Sequence, residues 1–207
     1  MNTADHWNEV YRSKAADAVS WYRAHLAPSL HYIERAAADR QAAIIDVGSG
    51  QATLADDLLA HGYRDISLLD VSEAALEATR KRLGDNAASL HWIVGDVTTV
   101  ALEAQRYSVW HDRAVFHFLT GAEQRAAYVA QARRAVRAGG HLVIATFALD
   151  GPAKCSGLDV VRYDAASLHA QFAAHFDLID STGDMHATPW GSAQSFVYVL
   201  MRRKAAA

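Results

Sequence analysis

Ala43-Ile44-Ile45-Asp46-Val47-Gly48-Ser49-Gly50-Gln51-Ala52 decides how the chain is read. A short apolar run ends in an acid, a glycine-rich turn follows, and Leu54, Leu58 and Leu59 then recur at helical spacing up to His61-Gly62. That is strand, loop and helix, with glycines where the backbone must turn tightly and approach a ligand without a Cβ in the way. The unit recurs. Ile66-Ser67-Leu68-Leu69-Asp70 precedes a helix capped by Ser72 and closed at Gly84. Residues 90–94 and 107–111 read as further buried strands, and a helix over 121–138 turns through Gly139-Gly140 into a strand over 141–147. Short apolar strands alternating with helices give a three-layer, doubly wound, parallel α/β sheet. In the last third, a helix over 165–174 leads to strands at 176–180 and 195–201, joined by Thr188-Pro189-Trp190-Gly191-Ser192. Pairing these two as an antiparallel hairpin gives a Rossmann-like sheet of seven strands with the last one reversed.

The 207 residues read as one domain, with 1–40 a helical lid and 41–207 the α/β core. Residues 3–38 read as helical, first around Trp7, Val10 and Tyr11 and again from Pro28 through Leu30, Ile33 and Ala37. The balance of 20 Lys and Arg against 23 Asp and Glu leaves no basic stripe for a phosphate backbone, so nucleic acid is not an expected partner. No run approaches the ~18 apolar residues of a membrane span, and the start at Met1-Asn2-Thr3 has neither a basic nor an apolar leader. The expectation is a cytoplasmic monomer or homodimer with no membrane partner. Cys155 is the single cysteine, which rules out an intrachain disulfide and a cysteine-based metal cluster. Residues 204–207 read as a frayed tail. Eleven His and five Trp are many for plain packing, which suggests that some cluster at a site.

The glycine loop does not fit a dinucleotide fingerprint, because Thr53 stands where the third glycine would be and Asp46 would repel a pyrophosphate. A carboxylate there suits a cationic ligand. Asp70 ends the second strand, where a carboxylate can accept hydrogen bonds from ribose hydroxyls. Asp96 follows the third strand, so three acids stand at the carboxyl ends of three successive strands.

Asp46-x-Gly48-x-Gly50-x-Ala52, Leu69-Asp70-Val71-Ser72, Gly95-Asp96-Val97 and Gly139-Gly140-His141-Leu142 resemble the ordered motifs of the class I S-adenosylmethionine-dependent methyltransferases. The likeness covers roughly residues 43–147, with Ala52 standing where many members carry Gly. It implies S-adenosylmethionine as cofactor, S-adenosylhomocysteine as product and no metal. By resemblance, Asp46, Gly48, Ser49 and Gly50 pack against the methionine part, Asp70 with Val71 holds the ribose, and Asp96 with Val97 meets the adenine. Trp7, Tyr11 and Trp21 of the lid could hold a sulfonium by cation–π contact while shutting out water.

Trp110-His111-Asp112-Arg113-Ala114-Val115-Phe116-His117 ends the fourth strand, on the side that would face the methyl group. Imidazole, carboxylate and guanidinium so close together can move a proton or hold an anion, so His111 with Asp112 is the expected base and Arg113 or Arg162 the expected anion holder. His111 is also a candidate cofactor contact and His117 a further catalytic candidate. Tyr22, Cys155, Arg162 and Tyr163 are candidate contacts to the acceptor. Together with the Val-Ser-Trp-Tyr segment at 19–22, these stretches resemble a bacterial subgroup of small-molecule methyltransferases, which implies a small acceptor. A thiol, sulfide or related chalcogen is favoured. A protein lysine N-methyltransferase and a non-catalytic S-adenosylmethionine-binding protein are the alternatives.

Overall fold

A computed structural model describes residues 3–205. Met1, Asn2, Ala206 and Ala207, and with them part of the expected leaderless start and frayed tail, lie outside the described residues. The interior strands are the apolar runs read above: β1 (Ile44–Val47), β2 (Ile66–Asp70) and β4 (Tyr107–Arg113) are buried along their length except at the half-buried Arg113. Burial on both faces is what a parallel sheet between helical layers requires. β3 (His91–Val94) departs from expectation. It is an edge strand, and His91 and Val94 are exposed because no strand covers its outer side. β5 (Val136–Phe147) begins ahead of Gly139-Gly140, and the register against β4 shifts between Tyr107 and Val109 to absorb the glycines as a bulge.

The sheet order is β3-β2-β1-β4-β5-β9-β8, with β9 (Ala193–Arg203) antiparallel to both β5 and β8 (Phe176–Ala187). The terminal hairpin is longer than the apolar runs suggest. The polar stretch Ser181-Thr182-Gly183-Asp184 continues β8 because an edge strand leaves these side chains in solvent, and Arg23 ties Asp184 down at 3.0 Å. A two-stranded hairpin, β6 (Lys154–Cys155) with β7 (Leu158–Asp159), stands apart from the main sheet. Among the described residues, no helix is long and apolar enough to cross a membrane.

The helices are α1 (Thr3–Ser13), α2 (Ala27–Ala36), α3 (Leu54–Ala60), α4 (Glu73–Leu83), α5 (Ala122–Ala135) and α6 (Ala165–Phe172). Ser72 caps α4 by accepting from the Ala75 N–H at 3.2 Å. The N-terminal segment is not continuously helical: a short 3-10 turn at Ala16–Ala18 and a loop holding Trp21 and Tyr22 separate α1 from α2. Asn8 anchors α1 to the start of α4, its Oδ1 accepting from Ser72 Oγ at 2.9 Å and from the Ala74 N–H at 3.1 Å.

Alternation along the strands divides the core. Ile44, Val109, Val143 and Tyr198 pack with Tyr32 and Ile33 of α2 on one face, while Ile45, Trp110, Ile144 and Val199 pack with Tyr128 and Phe172 on the other. On that second face the Trp110 indole N–H donates to Tyr128 Oη at 2.8 Å, and the Tyr128 hydroxyl donates to Asp112 Oδ2 at 2.5 Å. Asp112 also accepts the N–H groups of Val115 and Phe116, at 2.8 and 3.0 Å. Tyr128→Phe strands one buried donor and removes one bond to a buried carboxylate, so a loss of about 1–3 kcal/mol is expected in urea unfolding. An unchanged midpoint would show that this network contributes nothing to stability.

Candidate active site

β1, β2, β3 and β4 all end at one edge of the sheet, and the turns beyond them converge there. Gly48 and Gly50 have φ of +66° and +53°, a region that L side chains rarely occupy. A Cβ on Gly48 would stand 2.0 Å from Val115 Cγ2, and one on Gly50 would stand 2.5 Å from the Tyr11 hydroxyl. The glycines thus let the turn after β4 and the helix α1 close directly on the loop. Asp70 holds the loop from below: its Oδ2 accepts the Gly50 N–H at 2.8 Å and its Oδ1 the Ser72 N–H at 2.7 Å. Burial raises the Asp70 carboxyl to about 6, against the pull of those two N–H groups, and the nearby Asp46 raises it further.

A cavity of about 390 Å³ opens along this edge. At one end its wall is Asp70, Val71, Asp96 and Val97; at the other it is Arg113, Phe147, Cys155 and Phe196. Trp7, Tyr11, Trp21 and Phe118 close it as an aromatic cluster, with Trp7 5.8 Å from Trp21 and 5.2 Å from Phe118 between ring centres. A smaller cavity of about 40 Å³ adjoins it, lined by Asp46, Ser49, Tyr22 and His111, and the two share Gly48, Tyr11, Trp21 and Arg113.

The chemistry of these groups fits S-adenosylmethionine. The carboxylates at one end can accept from hydroxyl and amino groups, since each of their oxygens has more than one lone pair. The apolar Val71 and Val97 beside them suit a heterocycle, and the aromatic cluster suits a sulfonium. Among the described residues, no group of three or more His, Cys, Asp or Glu is placed to hold a metal ion.

The expected base does not assemble. Neighbouring residues of a strand point to opposite faces, so His111 and Asp112 are separated by the sheet itself. His111 lies opposite Asp46 in the β1–β4 register, and its buried ring is engaged at both nitrogens, with Asp46 Oδ1 at 2.7 Å and Ser29 Oγ at 2.9 Å. Asp112 is fully buried in the α5 network, where burial raises its carboxyl to about 6. Neither offers a free group to the large cavity. His117 is likewise buried. Its Nδ1 accepts the Phe147 N–H at 3.3 Å, which leaves the proton on an unpartnered Nε2, and burial beside Arg113 lowers it to about 3.

The acceptor candidates also divide. Cys155 lines the cavity, its thiol pushed up by burial to about 11, so it is not a nucleophile at neutral pH. Arg162 points away, its guanidinium donating to the Gly151 carbonyl at 3.2 Å, and Tyr163 is buried against Phe116 in the α5-side core. Tyr22 reaches only the small cavity. Sequence reasoning missed Val115, Phe118, Phe147 and Phe196, all of which line the large cavity. A signal for the last two exists in the topology, since a reversed final strand brings its beginning to the carboxyl edge, and Phe196 does pair with Phe147.

Residues 44–140 match the family described as a methyltransferase domain. Over that stretch the chain carries a methyltransferase domain. Solved structures share the fold over nearly the whole chain. One is described by the words "Conversion of a Disulfide Bond into a Thioacetal Group during Echinomycin Biosynthesis" (TM-score 0.74, 19% identity, covering 98% of this chain and 93% of that one). Another is the Burkholderia thailandensis 1,6-didemethyltoxoflavin-N1-methyltransferase with its substrate and S-adenosylhomocysteine bound (TM-score 0.70, 18% identity, covering 98% and 84%). A third is a putative methyltransferase from a Haloferax volcanii complex with the activator Trm112 (TM-score 0.74, 14% identity, covering 100% and 99%). The mouse eEF1A lysine and N-terminal methyltransferase is 25% identical over 100 residues, which is 47% of this chain, and the match spans only 14% of the mouse protein.

Gly48→Ala should weaken S-adenosylhomocysteine binding in calorimetry, because relieving a 2.0 Å contact with Val115 moves the turn that backs the loop. A stability loss of about 1–3 kcal/mol should accompany it. Wild-type affinity in this variant would mean that the loop's close approach to Val115 is not required for binding.

Proposed function

We propose that this methyltransferase acts on a small anionic nucleophile inside the closed cavity, and that a thiol, sulfide or related chalcogen is the acceptor. The observation that carries the reading is the cavity's acceptor end, where the guanidinium of Arg113 has no carboxylate within ion-pair distance among the described residues. When bound, S-adenosylmethionine supplies an electrophilic methyl on a sulfonium, which an acceptor's electron pair takes up as the carbon–sulfonium bond breaks. Asp70 and Asp96, with Val71 and Val97, would hold the adenosine portion. Gly48, Ser49, Gly50 and Asp46 would back the amino-acid portion, with His111, itself held by Ser29, fixing the Asp46 carboxylate. Trp7, Tyr11 and Trp21 would act as the lid, excluding water and facing the sulfonium.

The absence of an unengaged imidazole from the cavity wall among the described residues favours sulfur over oxygen or nitrogen. Thiols ionise near pH 8.5 in water and lower still beside a cation, so a useful fraction is already nucleophilic without a base. An alcohol or ammonium would need its proton removed. The lysine reading draws on the mouse relative, but an uncompensated guanidinium opposes a second cation in the same wall; Asp70 and Asp96 stand at the other end, and Asp159 is already paired with Lys154 at 3.2 Å. The thiol reading also sits easily with the sulfur chemistry named for one fold neighbour, although that likeness by itself speaks only to fold.

Incubation with labelled S-adenosylmethionine and a panel of thiols, sulfide, amines and phenols should yield S-methyl products first; transfer confined to oxygen or nitrogen acceptors overturns the sulfur reading. Asp70 adds a pH test. Its folded value of about 6 lies above the ordinary carboxyl value, so protonation begins in the mildly acidic range. Hydroxyl donors favour the ionised form, so S-adenosylhomocysteine affinity should be level above pH 6 and fall below it by up to about tenfold per pH unit. Asp70→Asn should bind weakly with a flat profile. A wild-type profile equally flat from pH 5 to 8 would remove Asp70 from cofactor recognition.

A further inference from the structure

The overall charge of the chain is close to even, yet its cations are unevenly placed. Among the described residues, every Lys and Arg side chain meets a carboxylate or donates to a backbone carbonyl except Arg12, Lys14, Arg133, Arg137 and Arg202. Arg133, Arg137 and Arg202 stand together at the amino edge of the sheet, opposite the cavity, and all are exposed. Arg133 lies in the last turn of α5 and Arg137 at the start of β5; Arg202 faces His141 in the β5–β9 register, where a Cβ on Gly139 would stand 3.5 Å from its Nη2. Arg203 and Lys204 join them, Arg203 donating to the Val136 carbonyl and Lys204 to the Ala173 carbonyl at 2.8 Å. Burial and, after it, Arg133, Lys204 and Arg203 hold His175 below the usual imidazole range, and burial with Arg202 and Arg137 does the same to His141. Like charges so crowded raise the local potential and repel one another. The acids of this edge do not answer them. Asp65, at 2.5 Å, and Glu103 act on Arg106, and Asp177, although opposite Arg202 in the β8–β9 register, turns to Lys204 at 3.5 Å. A helix accommodates cations beside its last carbonyls, which accounts for Arg133 and Arg134 but not for Arg137 and Arg202, which lie beyond α5.

We infer that this edge is a docking surface for an acidic stretch of a partner protein, whose carboxylates pair with Arg133, Arg137 and Arg202 and whose apolar side chains cover Leu178 and Ile179. Those two residues follow Asp177 on β8, the outermost strand, and are 39% and 50% exposed. The register breaks between Leu178 and Asp180, so Ile179 stands out of the ladder as a bulge. Leu178 lies opposite Met201, the residue before Arg202, which puts the apolar pair at the rim of the cationic patch. Exposed guanidinium forks suit carboxylates, and an aliphatic pair beside them suits a polypeptide. Nucleic acid fits less well. Tyr107, Phe172 and Phe176, which adjoin the patch, are buried, so only the half-buried imidazoles of His141 and His175 are left to meet a base. From β5 across β9 to β8 is two strand spacings, about 10 Å, a fraction of one duplex turn. None of these residues lines the cavity. Between His141 and Phe147, β5 covers about 20 Å at the usual strand rise, so docking here is separate from the site where the cofactor would sit.

The test uses the full-length chain and fluorescence anisotropy with labelled peptides of about a dozen residues, repeating Glu-Glu-Ile, Glu-Glu-Ser or Lys-Lys-Ile. The Glu-Glu-Ile peptide should bind and the Lys-Lys-Ile peptide should not, and raising sodium chloride from about 50 to about 300 mM should weaken binding by about fivefold or more. The Glu-Glu-Ser peptide, with nothing to cover the aliphatic pair, should bind about fivefold more weakly. Arg133→Gln, Arg137→Gln and Arg202→Gln combined should weaken the Glu-Glu-Ile peptide by about tenfold or more, while S-adenosylhomocysteine affinity stays within about twofold of wild type and shows that the variant is folded. Ile179→Ser should remove most of the preference for the Glu-Glu-Ile peptide over the Glu-Glu-Ser peptide. Arg12→Gln with Lys14→Gln removes two free cations elsewhere and should leave peptide binding within about twofold. No binding of the Glu-Glu-Ile peptide at the lower salt, an unchanged affinity in the triple variant, or an equal loss in the Arg12→Gln, Lys14→Gln variant overturns the inference. Tighter binding of an oligothymidylate or a DNA duplex of about the same length overturns it too, since the edge would then serve a phosphate backbone.

Discussion

The buried carboxylate of Asp112 is the constraint from which the site is built. It sits inside the α5-side core and accepts from Tyr128 and from the N–H groups of Val115 and Phe116, so the chain leaving β4 must turn back sharply over the edge of the sheet. Ala114 at the bend takes a φ of +75°, a strain that such bonds must sustain. Two consequences follow from the same turn. Val115 is pressed onto the glycine loop, and Arg113, one residue before the bend, projects on the other face into the cavity. A charge kept in the core at some cost, visible in its raised carboxyl value of about 6, thereby fixes the position of a charge at the surface of the cavity.

The stretch His111-Asp112-Arg113 shows both the reach and the limit of sequence reasoning. Its chemistry was legible, but the cluster read as one unit performs three tasks on two faces of a strand. His111 braces Asp46 beneath the glycine loop, Asp112 holds the bend, and Arg113 alone enters the large cavity. Period-two alternation contains that division, yet adjacency in the sequence hides it, because in a strand buried on both faces every position is apolar or engaged. The same difficulty concealed Phe147 and Phe196. A ring that walls a cavity and a ring in a core look alike in sequence, and only the register between β5 and β9 separates them.

Fold was easier to read than site. The interior strands, the capped α4 and the reversed hairpin follow from apolar runs, a serine cap and turn residues, all of them local signals. What failed was at the margins: the exposed β3, the polar extension of β8 and the unwound segment carrying Trp21. Each is set by which neighbour is absent or present in three dimensions, and that information is not local. The surplus of His and Trp divides accordingly. Trp7 and Trp21 face the cavity, whereas Trp110 and His111 serve the scaffold through their hydrogen bonds.

The wall of the cavity is assembled from distant parts of the chain, and this gives its two ends different histories during synthesis. Asp70, Val71, Asp96 and Val97 at the acidic end all lie before residue 98, whereas the cationic end needs Cys155 from the small hairpin and Phe196 from the final strand. A nascent chain emerging from the ribosome at about 5–20 residues per second therefore exposes the groups of the acidic end well before the ring on which Arg113 rests. Until β9 inserts beside β5, that guanidinium has no aromatic floor, and the wall of the cavity is incomplete at this end.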